Sequence, residues 1–174
     1  MQYKRIIVFD FDNTLCFTPE PDQGKKIWKE KTREDWPHIG WWSKTDSLNI
    51  DIFDIPVNKW IYKKYLEAVS DPDNYVMLAT GRLLKKEGML DNVMKILNKH
   101  NLSFDEVQLN WGGSTLLFKL TLFENKIKKL GVEELIMYDD RHISSFIEWA
   151  NKQDIKIAVI DSVTKNKTKN KKYI

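Results

Sequence analysis

Apolar residues along this chain fall into short continuous runs that alternate with segments of helical spacing. Five runs predict strands, at residues 5–9, 75–79, 106–109, 135–138 and 156–160. Between them, apolar positions recur every three or four residues, as in amphipathic helices. Strands that alternate with helices indicate a mostly parallel sheet with helices on both faces. The pattern therefore predicts an α/β fold with a sheet of about five strands.

Two segments depart from this alternation. Residues 18–56 contain prolines, glycines and several tryptophans, and we interpret them as a small, cap-like insertion after the first strand. Residues 162–174 are polar and rich in lysine, which predicts a mobile tail after a single domain spanning residues 1–161. In the third helical segment, Thr115 is the expected N-cap and Gly131 the expected end.

Composition narrows the class of protein. The charge is nearly balanced, with 28 Lys and Arg against 25 Asp and Glu, although five lysines crowd the last ten residues. The single cysteine, Cys16, excludes an intrachain disulfide and fits a reducing compartment. The apolar start is too short and too acidic for a signal peptide, and no segment is long enough to span a membrane. These features predict a soluble cytoplasmic protein without a membrane partner.

Polar residues follow four of the predicted strands. They are Asp10 and Asp12, then residues 80–82, residues 110–113 and residues 139–141. Ligands of open α/β sheets bind at the carboxyl ends of the strands, so these groups share one edge. Each group alone is ordinary turn chemistry, but two pairs of carboxylates repel unless a cation lies between them. Oxygen ligands without a histidine or cysteine cluster favour Mg²⁺ over zinc.

The order of these groups resembles a known superfamily. Residues 10–15 (DFDNTL), residues 80–82 (TGR), Lys119 and residues 139–140 (DD) are similar to the four motifs of the haloacid dehalogenase superfamily. Further motifs narrow the resemblance to the Swiss Army Knife RNA repair-like domain family: Gly40-Trp41-Trp42, Phe104-Asp105, Thr115, Phe118-Lys119, and residues 138–142 followed by Phe146. The resemblance covers about residues 8–149 and implies a Rossmann-like fold. Asn110-Trp111 stands where relatives are expected to have Lys-Pro.

The resemblance also implies a chemistry, which is Mg²⁺-dependent phosphoryl transfer through an aspartyl-phosphate. It makes Asp10 the nucleophile and Asp12 the general acid and base. Thr80, with the neighbouring backbone N–H groups around Gly81, would hold a phosphate oxygen. Lys119 would neutralise the charge that develops on the phosphoryl group.

The same resemblance implies the metal ligands. Mg²⁺ is expected between Asp10, the backbone carbonyl of Asp12, and Asp140. Asp139 is expected to orient Lys119 or a metal-bound water, because successive strand side chains point to opposite faces. The reverse assignment of Asp139 and Asp140 stays open.

The substrate is less specified by the sequence. Arg82 and Arg141 either contact phosphate or pair with carboxylates, and Trp111 is the best candidate for stacking on a base. The small insertion suggests an open site, which suits the phosphorylated ends of RNA or DNA. Two alternatives remain: a phosphatase of nucleotides or other small phosphometabolites, and a catalytically silent binding module. The oligomeric state is left open.

Overall fold

The computed structural model of the chain describes residues 3–173, so the ends of the predicted domain and tail, at Met1, Gln2 and Ile174, lie outside the described residues. The strands are β1 (Arg5–Phe9), β2 (Asn74–Leu83), β3 (Glu106–Asn110), β4 (Glu134–Asp139), β5 (Lys156–Asp161) and β6 (Lys167–Lys169). The helices are α1 (Pro21–Thr32), α2 (Lys59–Val69), α3 (Met89–Lys99), α4 (Thr115–Leu130) and α5 (Ile143–Ala150).

Across residues 3–173 the strands form one sheet in the order β3-β2-β1-β4-β5-β6. The first five strands are parallel, and β6 runs antiparallel to β5. The predicted α/β fold with a mostly parallel sheet is therefore confirmed. From β1 the chain adds β2 and β3 on one side of the sheet, and it then adds β4 and β5 on the other side of β1. The direction in which the sheet is built therefore reverses between β1 and β4. Ligands of open α/β sheets bind outside the strand ends at such a reversal.

Two apolar clusters cover the two faces of the sheet. Alternate side chains of a strand point to opposite faces, and β1 shows this clearly. Ile7 and Phe9 pack with α2, α3 and the insertion, whereas Ile6 and Val8 pack with α4 and α5. Because β1 is buried on both faces, the residues that follow it are held rigidly at the carboxyl edge.

The predicted insertion contains helix α1 and a short 3₁₀ helix, Thr45–Leu48. Trp41 fixes it to the core: its side chain is buried, and its indole N–H donates to the carbonyl of Pro19 at 2.9 Å. Gly24 of α1 packs directly on this ring, since a Cβ there would lie 2.1 Å from Trp41 Cη2. The insertion is thus a packed element beside the sheet edge that carries the site.

Part of the segment predicted as a tail forms regular structure. Residues 167–169 form β6 on the edge of the sheet, and Asn170 is buried behind them. The Asn170 side chain donates to the carbonyls of Ala150 and Ile155 and accepts from the N–H of Ile157. The pattern Lys-Thr-Lys has no apolar alternation, so periodicity does not reveal this strand.

Helix α4 begins one residue earlier than its sequence suggests. The N-cap is Ser114, whose hydroxyl accepts from the N–H of Leu117, and the prediction of Thr115 is wrong by one position. Gly131 ends the helix as predicted, with a left-handed φ of 63° that glycine adopts without strain. None of the helices described within residues 3–173 has the length and apolar character needed to cross a membrane.

Candidate functional site

Three ionisable groups meet in the buried space behind the carboxyl edge of the sheet. Asp10 follows β1, Asp139 ends β4, and Lys119 reaches in from the first turns of α4. The Lys119 Nζ donates to Asp10 Oδ1 and to Asp139 Oδ2, each at 2.6 Å. All three side chains are more than nine-tenths buried. A buried charge is tolerated when it is paired in this way.

The buried environment shifts the protonation of these groups. Burial raises the pKa of Asp10 well above its usual range, and the Lys119 ammonium opposes that rise. Burial alone lowers the pKa of Lys119, but the carboxylates of Asp10 and Asp139 outweigh it and raise the pKa above the ordinary lysine value. Burial, with the nearby charge of Asp139, also raises the pKa of Asp140. The site therefore holds a fixed ammonium among carboxyl groups that favour a further cation.

A group of carboxylate oxygens is suited to hold such a cation. One oxygen each from Asp10, Asp139 and Asp140 lies within 4.8 Å of the others. A donor set made only of oxygen fits a hard divalent ion such as Mg²⁺. Both oxygens of Asp139 already accept hydrogen bonds, from Lys119 Nζ at 2.6 Å and from the N–H of Arg141 at 3.1 Å.

Asp12 lies two residues after Asp10, and its carboxylate is held by a buried arginine. Arg82 Nε is 2.9 Å from Asp12 Oδ2, and Arg82 Nη2 is 2.7 Å from Oδ1. Thr18 also donates its hydroxyl to Oδ1 at 2.7 Å. Arg82 Nη1 donates to the carbonyl of Trp42 and to the hydroxyl of Ser47, each at 2.7 Å. Of the two alternatives for Arg82, the structure shows the pairing with a carboxylate.

Thr80 and Gly81 lie inside β2, which extends past the predicted strand end. The Thr80 side chain is fully buried, and its hydroxyl accepts from the N–H of Arg82 at 3.2 Å. A Cβ at Gly81 would lie 2.7 Å from Thr115 Oγ1, so only glycine allows the start of α4 to approach β2 this closely. That approach brings Lys119 to Asp10.

A cavity of about 280 Å³ opens at this edge of the sheet. Its walls are formed by Asp10, Asp12, Trp42, Gly81, Arg82, Thr115, Lys119, Asp139, Asp140, Arg141 and His142. The predicted residue Trp111 has a different setting: it is half exposed and packs edge-on against Phe118, with ring centroids 5.0 Å apart. The strand ends and the insertion together thus enclose the predicted carboxylates and lysine.

Similarity to known proteins is found at the level of structure. No protein-family model matches the chain, and no curated protein sequence matches it. A structure of the Pnkp1/Rnl/Hen1 RNA repair complex contains a chain with a TM-score of 0.58 and 16% identity, over 91% of this chain and 43% of that one. A second structure of the Pnkp1/Rnl/Hen1 complex gives a TM-score of 0.59 and 15% identity, over 91% of this chain and 46% of that one. These likenesses show that the chain shares its α/β fold with part of those chains.

The chain spans less than half the length of both of those chains. A structure of an archaeal β-phosphoglucomutase from the hyperthermophilic Pyrococcus sp. strain ST 04 has a TM-score of 0.48 and 16% identity, over 90% of this chain and 86% of that one. In this fold, the predicted residues Asp10, Lys119, Asp139 and Asp140 are brought together around one cavity.

Three residues of the cavity wall are not among the predicted site residues: Trp42, Thr115 and His142. All three belong to motifs of the family resemblance, and that membership was an available signal. The motif does not distinguish Trp42 from the adjacent Trp41, which is chemically identical and faces the core instead.

Proposed function

We propose that this protein is a Mg²⁺-dependent phosphohydrolase that acts through an aspartyl-phosphate on the phosphorylated ends of polynucleotides. The observation that carries the proposal is the buried contact of Lys119 with Asp10 and Asp139, beside Asp140 and open to the cavity. Phosphoryl transfer needs a nucleophile and positive charge around the phosphate oxygens, and this cluster supplies both. A silent binding module has no need of a buried ion cluster of this kind.

In the proposed reaction, a carboxylate oxygen of Asp10 attacks the phosphorus of a phosphomonoester as the bond to the leaving oxygen breaks. Asp12 enters this step protonated and gives its proton to that leaving oxygen. Arg82 and Thr18 position its carboxyl group. Asp12 then takes a proton from a water molecule, which attacks the aspartyl-phosphate, releases inorganic phosphate and restores Asp10. Lys119 stabilises the negative charge of the phosphoryl oxygens in both steps.

Asp10 and Asp140 are the proposed side-chain ligands of Mg²⁺. Asp139 is already engaged by Lys119 and by the N–H of Arg141, whereas the ion pair of Asp140 with Arg141 Nε is 3.6 Å long and weaker than a hydrogen bond. When bound, Mg²⁺ would add positive charge next to the phosphoryl oxygens. Asp139 would then act as the residue that orients Lys119.

Polynucleotide ends are favoured as substrates because Arg141, whose side chain is half exposed, lies on the cavity wall. The likeness to a chain of an RNA repair complex supports the same class. The lysine-rich tail gives less support, because β6 leads it away from the carboxyl edge. The buried thiol of Cys16 is in keeping with a cytoplasmic setting.

The decisive experiment replaces the nucleophile. Asp10→Asn should lower Mg²⁺-dependent hydrolysis of an aryl phosphate by several orders of magnitude, because the reacting oxygen and its charge are lost together. The control is Asp91→Asn on α3, which neutralises an exposed carboxylate that does not line the cavity. Thermal melting shows whether each variant is folded. Substantial activity in a folded Asp10→Asn protein would contradict the aspartyl-phosphate mechanism.

A substrate screen with Mg²⁺ tests the substrate class. The panel contains 3′- and 5′-phosphorylated oligonucleotides, mononucleotides and sugar phosphates, compared by kcat/KM. A preference for oligonucleotides supports the proposal. A preference for mononucleotides or sugar phosphates would show that the protein is a phosphatase of small metabolites.

A further inference from the structure

Trp42 and Arg141 come from different segments and meet on the wall of the cavity. Trp42 belongs to the insertion and Arg141 follows β4, yet the guanidinium carbon of Arg141 lies 5.2 Å from the centroid of the Trp42 ring. This is the distance of a cation–π contact. We infer that the pair binds a second anionic group of the substrate, the phosphodiester next to the terminal phosphate, and that Trp42 orients Arg141 for this contact. The inference rests on the proposed function and specifies its substrate.

The two arginines of the cavity differ in what their N–H groups contact. Arg82 is buried, and its side chain donates to Asp12, Trp42 and Ser47. Within residues 3–173, the guanidinium of Arg141 donates no hydrogen bond, and its side chain is 54% exposed. A guanidinium with free N–H groups on a cavity wall matches the paired oxygens of a phosphodiester.

Trp42 is held by its backbone and by the buried Arg82, whose guanidinium carbon lies 5.1 Å from the centroid of the Trp42 ring. Its carbonyl accepts from Arg82 Nη1 at 2.7 Å, and the preceding residue, Trp41, is buried in the core. The Trp42 ring therefore offers a fixed surface to Arg141, whose long side chain is otherwise free to adopt many rotamers. Stacking reduces the entropy that Arg141 would lose on binding a ligand.

The terminal phosphate already has its own partners in the cavity. Lys119 lies beside Asp10, and the carboxylates of Asp10 and Asp140 are placed to hold a cation. Arg141 Nε lies 3.6 Å from Asp140 Oδ2 on the outer side of this cluster, where a neighbouring group of the same substrate can reach it. A mononucleotide with one phosphate has no such group. A phosphorylated dinucleotide has one, and so does a sugar bisphosphate.

The test compares substrates with and without the second anionic group. Substrates are a dinucleotide with a terminal phosphate, the corresponding mononucleotide, a sugar bisphosphate and the corresponding monophosphate. The proteins are wild type, Trp42→Ala, Trp42→Phe, Arg141→Gln and the double variant Trp42→Ala/Arg141→Gln. The matched control is Trp36→Ala, which removes a tryptophan from the same insertion at a position that packs edge-on against Trp28. Values of kcat/KM are measured at two salt concentrations.

Wild type should prefer the dinucleotide to the mononucleotide. Arg141→Gln should reduce this ratio by roughly tenfold to a hundredfold, the range for a hydrogen bond to a charged group, and flatten its salt dependence. Trp42→Ala should also reduce this ratio, mainly through a higher KM for the dinucleotide. The double variant should show no larger reduction than Arg141→Gln alone. Trp42→Phe should keep most of the preference, as should Trp36→Ala.

Any one of the following results would overturn the inference. The first is an equal loss on both members of each substrate pair in Trp42→Ala, which indicates a structural role only. The second is additive losses in the double variant, which separate Trp42 from Arg141. The third is a wild-type preference for the sugar bisphosphate over the dinucleotide, which assigns the second anion to a small metabolite. If wild type hydrolyses phosphomonoesters without any preference, this inference fails while the phosphohydrolase proposal stands; if it hydrolyses none, the proposed function itself fails.

Discussion

Two ionisable side chains near the cavity, Lys119 and Cys16, are almost completely buried, but the lysine is charged and the cysteine is neutral. Lys119 keeps its charge because Asp10 and Asp139 are in contact with its ammonium. Among residues 3–173, Cys16 has no positive partner, and burial, aided by the charge of Asp12, raises the pKa of its thiol to about 12. Burial alone therefore does not decide whether a group is charged; the nearest charges do.

Cys16 should be chemically silent in the native protein. At pH 8 the buried thiol stays protonated, so a thiol reagent such as iodoacetamide should label Cys16 only after unfolding. The raised pKa of this thiol also makes the stability of the protein depend on pH. The unfolded thiol releases its proton near pH 9 and the native one near pH 12, so this thiol's contribution to stability is lost as pH rises between those values. Mass spectrometry checks the labelling, and rapid labelling of the folded protein at pH 8 would contradict the prediction.

For individual residues, the sequence predicts the positions of the charged side chains better than those of the aromatic ones. Asp10, Asp139 and Asp140 follow strand ends, and that position fixes them at the sheet edge. Trp42 and Trp111 cannot be ranked in the same way, because the direction of each ring depends on packing between segments distant in sequence. Trp111 was the predicted stacking residue, whereas Trp42 lines the cavity.

Among the elements, α1 depends on one close contact. Gly24 lies in the helix interior, where glycine usually costs about 1 kcal/mol relative to alanine. Here a Cβ would meet Trp41 ring carbons at 2.1 and 2.2 Å. The small residue is needed for packing, and the gain in helix propensity from alanine is outweighed by the clash.

Gly24→Ala should therefore destabilise the protein, by about 1–3 kcal/mol as in other overpacked cores. The control is Lys25→Ala, an exposed position of the same helix, where a change within about 0.5 kcal/mol is expected. Denaturant unfolding measures both free energies. A Gly24→Ala protein as stable as wild type would show that Trp41 can move aside at little cost.

The parallel strands are the elements that periodicity predicts well, since each is a buried apolar run. Helix α1 and strand β6 are not predicted, for different reasons. The segment 21–32 has few apolar residues and an interior glycine, so its helical period is weak. Strand β6 has only exposed side chains, and its place on the sheet depends on Asn170, three residues after its start.

Over the whole molecule, the clustered lysines are distributed along one edge. Lys167 and Lys169 lie on β6, and Lys172 pairs with Asp154, which precedes β5 at the opposite end from the cavity. Lysines on an edge strand discourage pairing with other chains. The charge cluster seen in the sequence is thus better explained as protection of the sheet edge than as an extension of the site.

Removing the tail should accordingly affect stability. Deletion of residues 163–174 uncovers β5 and removes the four hydrogen bonds that join Asn170 to the rest of the protein, so a loss of at least about 2 kcal/mol is expected. Replacing Lys167, Lys169, Lys171 and Lys172 by glutamine removes charge but keeps the strand, and should change stability by less than about 1 kcal/mol. Denaturant unfolding distinguishes the two. Equal stability of the deletion and wild type would mean that the tail is not docked.

The central position of β1 has a consequence for how the chain folds. β1 lies near the start of the sequence, but the ion pair of Asp10 with Lys119 joins residues 109 positions apart, and the hydroxyl contact of Thr14 with Ser162 joins residues 148 apart. Contacts this distant in sequence form slowly, because long loops must close first. Until β4 arrives, the apolar residues 6–9 have no complete set of partners and are open to aggregation. The segment that leads to Asp10, the proposed nucleophile, is thus the one that a molecular chaperone would most need to shield.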